Sequence, residues 1–227
     1  MSTINQLFDF FLPRFCNSCR NKLSTKELFL CEYCISTIKR ADSELLNHEF
    51  NRKFYKDKII SDFTSLYIFQ KDQALQNLVH NLKYNGSFRV GIFLGKLIGK
   101  ELQNTINKWN ANLILPVPLH HLKKAERGYN QSYYICKGIQ KYSNAKVYTS
   151  IIQRKRYTES QTTMDLRERK NNIENAFQIS KSAMVKSKRI IVVDDVITTG
   201  ATITECGKLL LDEGADMVFA LSLAIAE

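Results

Sequence analysis

The sequence predicts an α/β protein, a parallel sheet with helices on both faces, preceded by a small metal-binding module. Three observations predict it. Apolar runs of strand length alternate with amphipathic segments of helix length over 61–227, the order that builds βα units. One of those runs, IIVVDDVITTGAT at 190–202, passes from β-formers through two adjacent acids into a hydroxyl-rich turn. Four of the six cysteines fall within CNSCRNKLSTKELFLCEYC, close to the start.

At 227 residues and 44% hydrophobic, the chain can bury one sizeable core with a small module appended. Its net charge of +11 favours anionic partners: phosphorylated metabolites, nucleic acid or an anionic membrane face. The opening MSTINQLFDFFLPRFC has no basic start and too short an apolar run for a secretion signal. No stretch approaches the roughly 18 continuous apolar residues of a membrane span. A reducing cytoplasm is therefore expected, where cysteines point to metal or buried thiols rather than disulfides.

Cys16, Cys19, Cys31 and Cys34 follow the spacing Cys-x2-Cys, eleven residues, Cys-x2-Cys. Each close pair can offer two thiolates to one ion, which predicts a tetrahedral zinc site. The segment between them is too short for a core of its own, so metal would supply most of its folding free energy, on the order of 10 kcal/mol. A filled four-thiolate site is structural; redox-active pairs are the alternative. Cys136 and Cys206 stand alone in helix-like sequence and read as buried thiols. The module is placed at 1–40, a polar linker at 41–60 and the main domain at 61–227.

Within that domain FTSLYIFQ reads as a strand and DQALQNLVHNLKY as an amphipathic helix, with apolar residues at Leu75, Leu78, Val79 and Leu82. Gly86 marks the turn before a second helix, GSFRVGIFLGKLIGKEL. NLILPVP is a buried strand whose ladder Pro116 and Pro118 are expected to end. NQSYYICKGIQKY predicts a helix, KVYTSII a strand, RIIVVD a third buried strand, ATITECGKLLLDEG a helix closed by Gly214, and ADMVFALSLA a last strand.

Ligands of open parallel sheets bind beyond the carboxyl ends of strands, where Asp194 and Asp195 are expected. The turn after them leads into a helix, whose free amides and positive dipole, joined by Thr198, Thr199 and Thr202, make a phosphate cradle. Gly200 lets the backbone close round the anion. Two carboxylates beside a phosphate need something between, since unit charges about 4 Å apart interact by about 4 kcal/mol at an effective dielectric of 20. Ribose hydroxyls meet that need. The alternative is one acid capping the helix and the other a solvated strand end.

IIVVDDVITTGAT resembles the phosphoribosyl-pyrophosphate (PRPP) motif of type I phosphoribosyltransferases. The resemblance implies that Asp194 and Asp195 hold the ribose hydroxyls, and that Thr198, Thr199, Gly200, Ala201 and Thr202 hold the 5-phosphate. LPVPLHHLKKAERGYNQS, 115–132, is similar to the signature of ComF-type proteins, phosphoribosyltransferase-like proteins linked to DNA uptake in competent bacteria. It implies a pyrophosphate site at Pro118, Leu119, His120, Lys123 and Arg127. RKRYTESQTTMDLRERKNNIENAF, 154–177, also fits the ComF pattern at Arg154, Thr158, Gln161, Leu166, Arg169, Asn172, Ala176 and Phe177. In type I enzymes this stretch is a loop that closes over the reactants, which gives Arg154, Thr158, Gln161 and Arg169 the catalytic part. A short solvated helix capped by Thr163 is the other reading of TTMDLRERKNNI. ComF-type proteins also commonly carry a four-cysteine module. Family members often have arginine and phenylalanine where this chain has Lys123 and Tyr129; lysine keeps the charge but lacks the planar two-point grip on phosphate.

The resemblance implies a type I phosphoribosyltransferase-like fold with a zinc-ribbon-like module, binding PRPP with magnesium, and two readings of function. In one, an enzyme lets a nitrogen base displace pyrophosphate at the anomeric carbon. In the other, a PRPP sensor of the competence machinery binds single-stranded DNA, using basic surface and Tyr129, Tyr133, Tyr134 and Tyr157 for stacking. His120 and His121 are neighbours, so one at most is expected to face the site.

Overall fold

The computed structural model describes residues 12–70, 74–84, 87–155 and 176–226. Its first element, helix α1 (Glu32–Ser36), starts at Cys31, whose sulfur accepts from the Cys34 amide. Helix α2 (Ser43–Lys53) follows, inside the stretch expected as linker. Its Asp42 cap accepts from Leu45 N at 2.8 Å, satisfying an amide of the first turn. Phe54, just past its end and 1% exposed, anchors it in the core.

The main sheet has the order β1-β7-β6-β2-β3, with every pair parallel. Its strands are β1 (Asp62–Ile68), β2 (Leu113–Pro116), β3 (Lys146–Val147), β6 (Arg189–Ile197) and β7 (Met217–Ile225). Between them run α3 (Ala74–Tyr84), α4 (Phe88–Glu101), α5 (Gln103–Lys108), α6 (His121–Arg127), α7 (Gln131–Ile139) and α8 (Ala201–Asp212). Along β6, Ile191 and Val193 join one apolar cluster with Leu78, Leu94 and Ile135. Ile190 and Val192 join the other, with Phe54, Ile203 and Leu210. Alternate side chains of a strand point to opposite faces, so a strand covered on both faces reads as one continuous apolar run. Helices α4 and α7 approach so closely that a Cβ on Gly95 would lie 2.0 Å from the Ile135 carbonyl oxygen.

Three local expectations are corrected. KVYTSII does not make one strand: β3 stops at Val147, and Ile152–Arg154 forms β4, antiparallel to β5 (Phe177–Ile179), in a separate two-stranded sheet. Pro116 explains the break. The Tyr148 amide reaches Ile114 O, and the next rung of a parallel ladder needs an amide hydrogen that proline lacks. On its other side Pro116 does not end pairing: it stands opposite Val193, and Val117 N donates to Val193 O. Finally, β6 does not finish at the acids. It pairs with β7 as far as Ile197 opposite Ile225, so Asp194 and Asp195 lie inside their own strand but beyond the end of its neighbour β2.

Candidate functional site

The step between a long β6 and a short β2 leaves Asp194 and Asp195 past the last residue of β2. Asp194 accepts from the Ser132 hydroxyl at 3.2 Å, in the first turn of α7. Asp195 meets the Lys83 ammonium at 2.8 Å, from the last turn of α3. Burial, and then the charge of Asp195, push the Asp194 carboxyl up to about 7. Burial also acts to raise Asp195, but Lys83 outweighs it and holds that carboxyl below its ordinary value. The pair therefore carries one firmly ionised acid and one near its titration point at neutral pH.

The turn 198–200 follows without a break. Gly200 sits at φ +81° and opens α8, which has no side-chain cap. Thr199 Oγ1 accepts from Ala201 N at 3.3 Å. A Cβ on Gly200 would lie 2.7 Å from the Phe54 ring, so glycine is required by both conformation and space. The loop is braced from below by α2. Lys53 donates to the carbonyl oxygens of Thr198 and Ala226, and is itself paired with Glu49 at 2.9 Å. Glu49 is only 2% exposed; burial opposes its ionisation, but Arg52 and Lys53 overcome that and keep it charged.

On the opposite side, after β2, Pro118 is buried and Leu119 half-buried. His120 is buried and caps α6, its Nδ1 accepting from Leu122 N at 3.4 Å, while His121 is exposed. Arg127 donates to Gln131 Oε1 at 3.2 Å and lies over the Tyr84 ring. Burial, then the charges of Arg154 and Arg127, lower Lys123. Arg154, at the end of β4, packs on the Phe177 ring and senses Asp194. Lys83, Lys123, Arg127 and Arg154 thus converge from α3, α6 and β4 on the mouth above the acids, an arrangement suited to a multiply charged anion. Arg127 Nε, Asn130 Oδ1 and Gln131 Nε2 are buried with no hydrogen-bond partner among the described residues. Buried polar atoms are rarely left so, which marks spare binding capacity. A cavity of about 710 Å³ adjoins this side, bounded in part by His121, Tyr133 and Arg154 but not by the acids.

The four cysteine sulfurs lie within 4.8 Å of one another, and Cys19 and Cys31 are 3.7 Å apart. Metal–sulfur bonds of 2.3 Å in a tetrahedron put sulfurs about 3.8 Å apart, so the set fits one such ion. Arg20, at φ 64°, turns the first knuckle. Cys136 and Cys206 are fully buried in the two core clusters, as their sequence suggested.

Of the residues singled out by sequence, the structure brings Asp194, Lys123, Arg127 and Arg154 within electrostatic reach of one another, with Asp195 and the turn 198–202 following Asp194 along the chain. Thr158, Gln161 and Arg169, the helix considered over TTMDLRERKNNI and Tyr157 lie outside the described residues. Tyr129, Tyr133 and Tyr134 pack on one another, and Tyr129 donates to the Leu82 carbonyl. Sequence reading missed Lys83, Ser132 and Lys53. Lys83 ends an amphipathic helix where a solvated lysine is ordinary, and nothing local distinguishes it.

Residues 139–224 match the model of the phosphoribosyl transferase domain, and they include β3, β6 and all but the last residue of β7 of the five-stranded parallel sheet. Structurally the chain is similar to the allosteric regulatory enzyme of purine biosynthesis, at 19% identity and TM-score 0.40, covering 64% of this chain and 26% of that one. It is also similar to a purine phosphoribosyltransferase from Pyrococcus horikoshii, at 15% identity and TM-score 0.38, covering 59% and 74%. In sequence it is 33% identical over 162 residues to DNA utilization protein YhgH of Salmonella typhimurium, covering 70% of this chain and 67% of the relative. It is 29% identical over 158 residues to competence protein F of Haemophilus influenzae, covering 68% and 69%. Against YhgH of Escherichia coli K12 it is 31% identical, covering 63% and 64%. The chain belongs to this competence protein F and YhgH family, and spans about two thirds of the length of the relatives it matches. Among the described residues no helix is long and apolar enough to cross a membrane.

Proposed function

We propose that this protein binds PRPP in the pocket above β6 and transfers its phosphoribosyl group, in a cytoplasmic process tied to the use of incoming DNA. The observation that carries the proposal is the adjacent carboxylates of Asp194 and Asp195, set in β6 directly before the uncapped start of α8. The ribose hydroxyls donate to the acids. The 5-phosphate takes amide and hydroxyl hydrogens from residues 198–202. The diphosphate lies along residues 118–120, Lys123 and Arg127, with Arg154 beside it; Thr158, Gln161 and Arg169, to which the resemblance gives a catalytic part, fall outside the described residues.

The C1–O bond then breaks with its electron pair leaving on pyrophosphate, and a nitrogen nucleophile forms the new bond at C1 and gives up its proton. The transition state is oxocarbenium-like, so one ionised acid beside the sugar favours it. Magnesium would neutralise diphosphate charge if bound with the substrate, and with Asp195 engaged by Lys83 this protein would offer it few contacts of its own. Zinc in the four-cysteine set is a structural part of the same protein, and we assign 1–40 to that module and 61–227 to the transferase domain, with α2 between them.

The test is magnesium-dependent loss of PRPP with candidate nitrogen bases, abolished by Asp195→Asn. Binding without turnover on any base leaves the protein a PRPP sensor. No calorimetric heat from PRPP and magnesium on zinc-loaded protein removes both readings. Single-stranded DNA binding, the alternative that the net charge of +11 favours, requires affinity that falls with salt at a log–log slope of about −0.7 for each phosphate neutralised.

A further inference from the structure

We infer that Lys83 is a diphosphate-binding residue: its ammonium bridges Asp195 and a non-bridging oxygen of the departing pyrophosphate. This rests on the PRPP reading of the pocket. Lys83 lies outside every motif that suggested that reading, yet the fold delivers it to the centre. The residues on either side of it are tied to the end of α6 and the loop after it. Leu82 O accepts from the Tyr129 hydroxyl at 2.6 Å, and the Tyr84 ring lies 5.6 Å beneath the Arg127 guanidinium. The lysine between them is thereby aimed at Asp195, 2.8 Å away.

An ammonium carries three donors. Among the described residues Asp195 is the polar partner of this one, and the side chain keeps 26% of its surface exposed, so donors remain for a ligand. Asp195, Asp194 and Arg127 all act on it electrostatically, which places it between the acids and the basic side of the mouth. Chemically that position is needed. A diphosphate leaving beside two carboxylates suffers repulsion that grows as the C1–O electron pair moves onto it, and a cation between them offsets the growth. Lys83 keeps its proton throughout. It also supplements Lys123, a point charge where a forked guanidinium would grip two oxygens.

Calorimetry with inorganic pyrophosphate, ribose 5-phosphate and PRPP, each with magnesium, tests this on wild type, Lys83→Met and Lys83→Arg. The expected result is about tenfold or greater weakening of pyrophosphate and PRPP in the Met variant, with ribose 5-phosphate changed by less than about threefold and the Arg variant retaining most affinity. An equal fall for all three ligands makes Lys83 merely the counter-ion of Asp195 and overturns the inference, as does no fall. If Lys83→Met strands its partner and does not fold, Lys83→Met with Asp195→Asn leaves no such unpaired acid, and must show the same loss for pyrophosphate relative to Asp195→Asn. Wild type that ignores PRPP defeats the function proposed above; wild type that binds it while Lys83→Met binds equally defeats only this inference.

Discussion

The loop after β6 and the loop after β2 flank the same pocket, but the first is braced and the second is left with unspent hydrogen bonds. Under the first, Glu49, Lys53 and Phe54 form a buried support that ties the Thr198 carbonyl to α2. On the second, Arg127 Nε, Asn130 Oδ1 and Gln131 Nε2 face no partner among the described residues. The difference teaches that one ligand group meets a rigid cradle while the other completes an unfinished network. In the proposed reaction these groups are the 5-phosphate, which stays attached, and the pyrophosphate, which departs.

Mutations on the braced side should cost stability and binding together. Among the described residues, Lys53→Met leaves the buried Glu49 with Arg52 and His48, and it removes the donor to Thr198 and Ala226. A loss on the order of 3 kcal/mol is expected in denaturant unfolding, with ribose 5-phosphate affinity falling alongside. Restored stability in Lys53→Met with Glu49→Leu would confirm that the stranded charge is the cause. Gly200→Ala comes next: left-handed φ costs about 1–2 kcal/mol for a side-chain residue, and the contact with Phe54 adds to it. Unchanged unfolding in this variant would contradict the cradle's rigidity.

The unfinished side should behave oppositely. Gln131→Leu exchanges a 2%-exposed amide with an orphan donor for an apolar group, at the expense of one bond to Arg127. Stability should stay within about 1 kcal/mol of wild type, while pyrophosphate affinity measured by calorimetry drops.

The remaining prediction concerns pH. Asp194 titrates near 7 when folded, against an ordinary 3.8. Between those values the folded chain binds more protons than the unfolded one, so this group's contribution to stability declines as pH rises from about 4 to about 7. The Asp195 shift runs the other way and acts below its ordinary 3.8, outside that window. Asp194→Asn should therefore flatten the slope of unfolding free energy against pH between 4 and 7. An identical slope in the variant would mean that Asp194 is not the titrating group.

The acid pair, its phosphate turn and the four-cysteine set were legible because each is written contiguously or at fixed short spacing. Four of the five strands of the main sheet were legible too, from apolar runs bounded by turns. KVYTSII misled because its β-formers are uniform, whereas the strand's end is decided by Pro116 in another strand. Within 41–60, read as a linker, composition did not reveal a helix. Mean polarity hides an Asp42-capped helix whose one buried acid, Glu49, is made tolerable by lysine and arginine one turn on.

By itself, then, the sequence determined what is local: helix and strand periods, a glycine demanded by positive φ, two carboxylates side by side, thiolates in pairs. Only the tertiary structure decided which acid stays ionised, what braces the phosphate turn and which loop keeps free donors. Those outcomes depend on charges brought together across the chain, as with Lys53 and the Thr198 carbonyl 145 residues apart, and in a desolvated pocket the nearest charge governs ionisation.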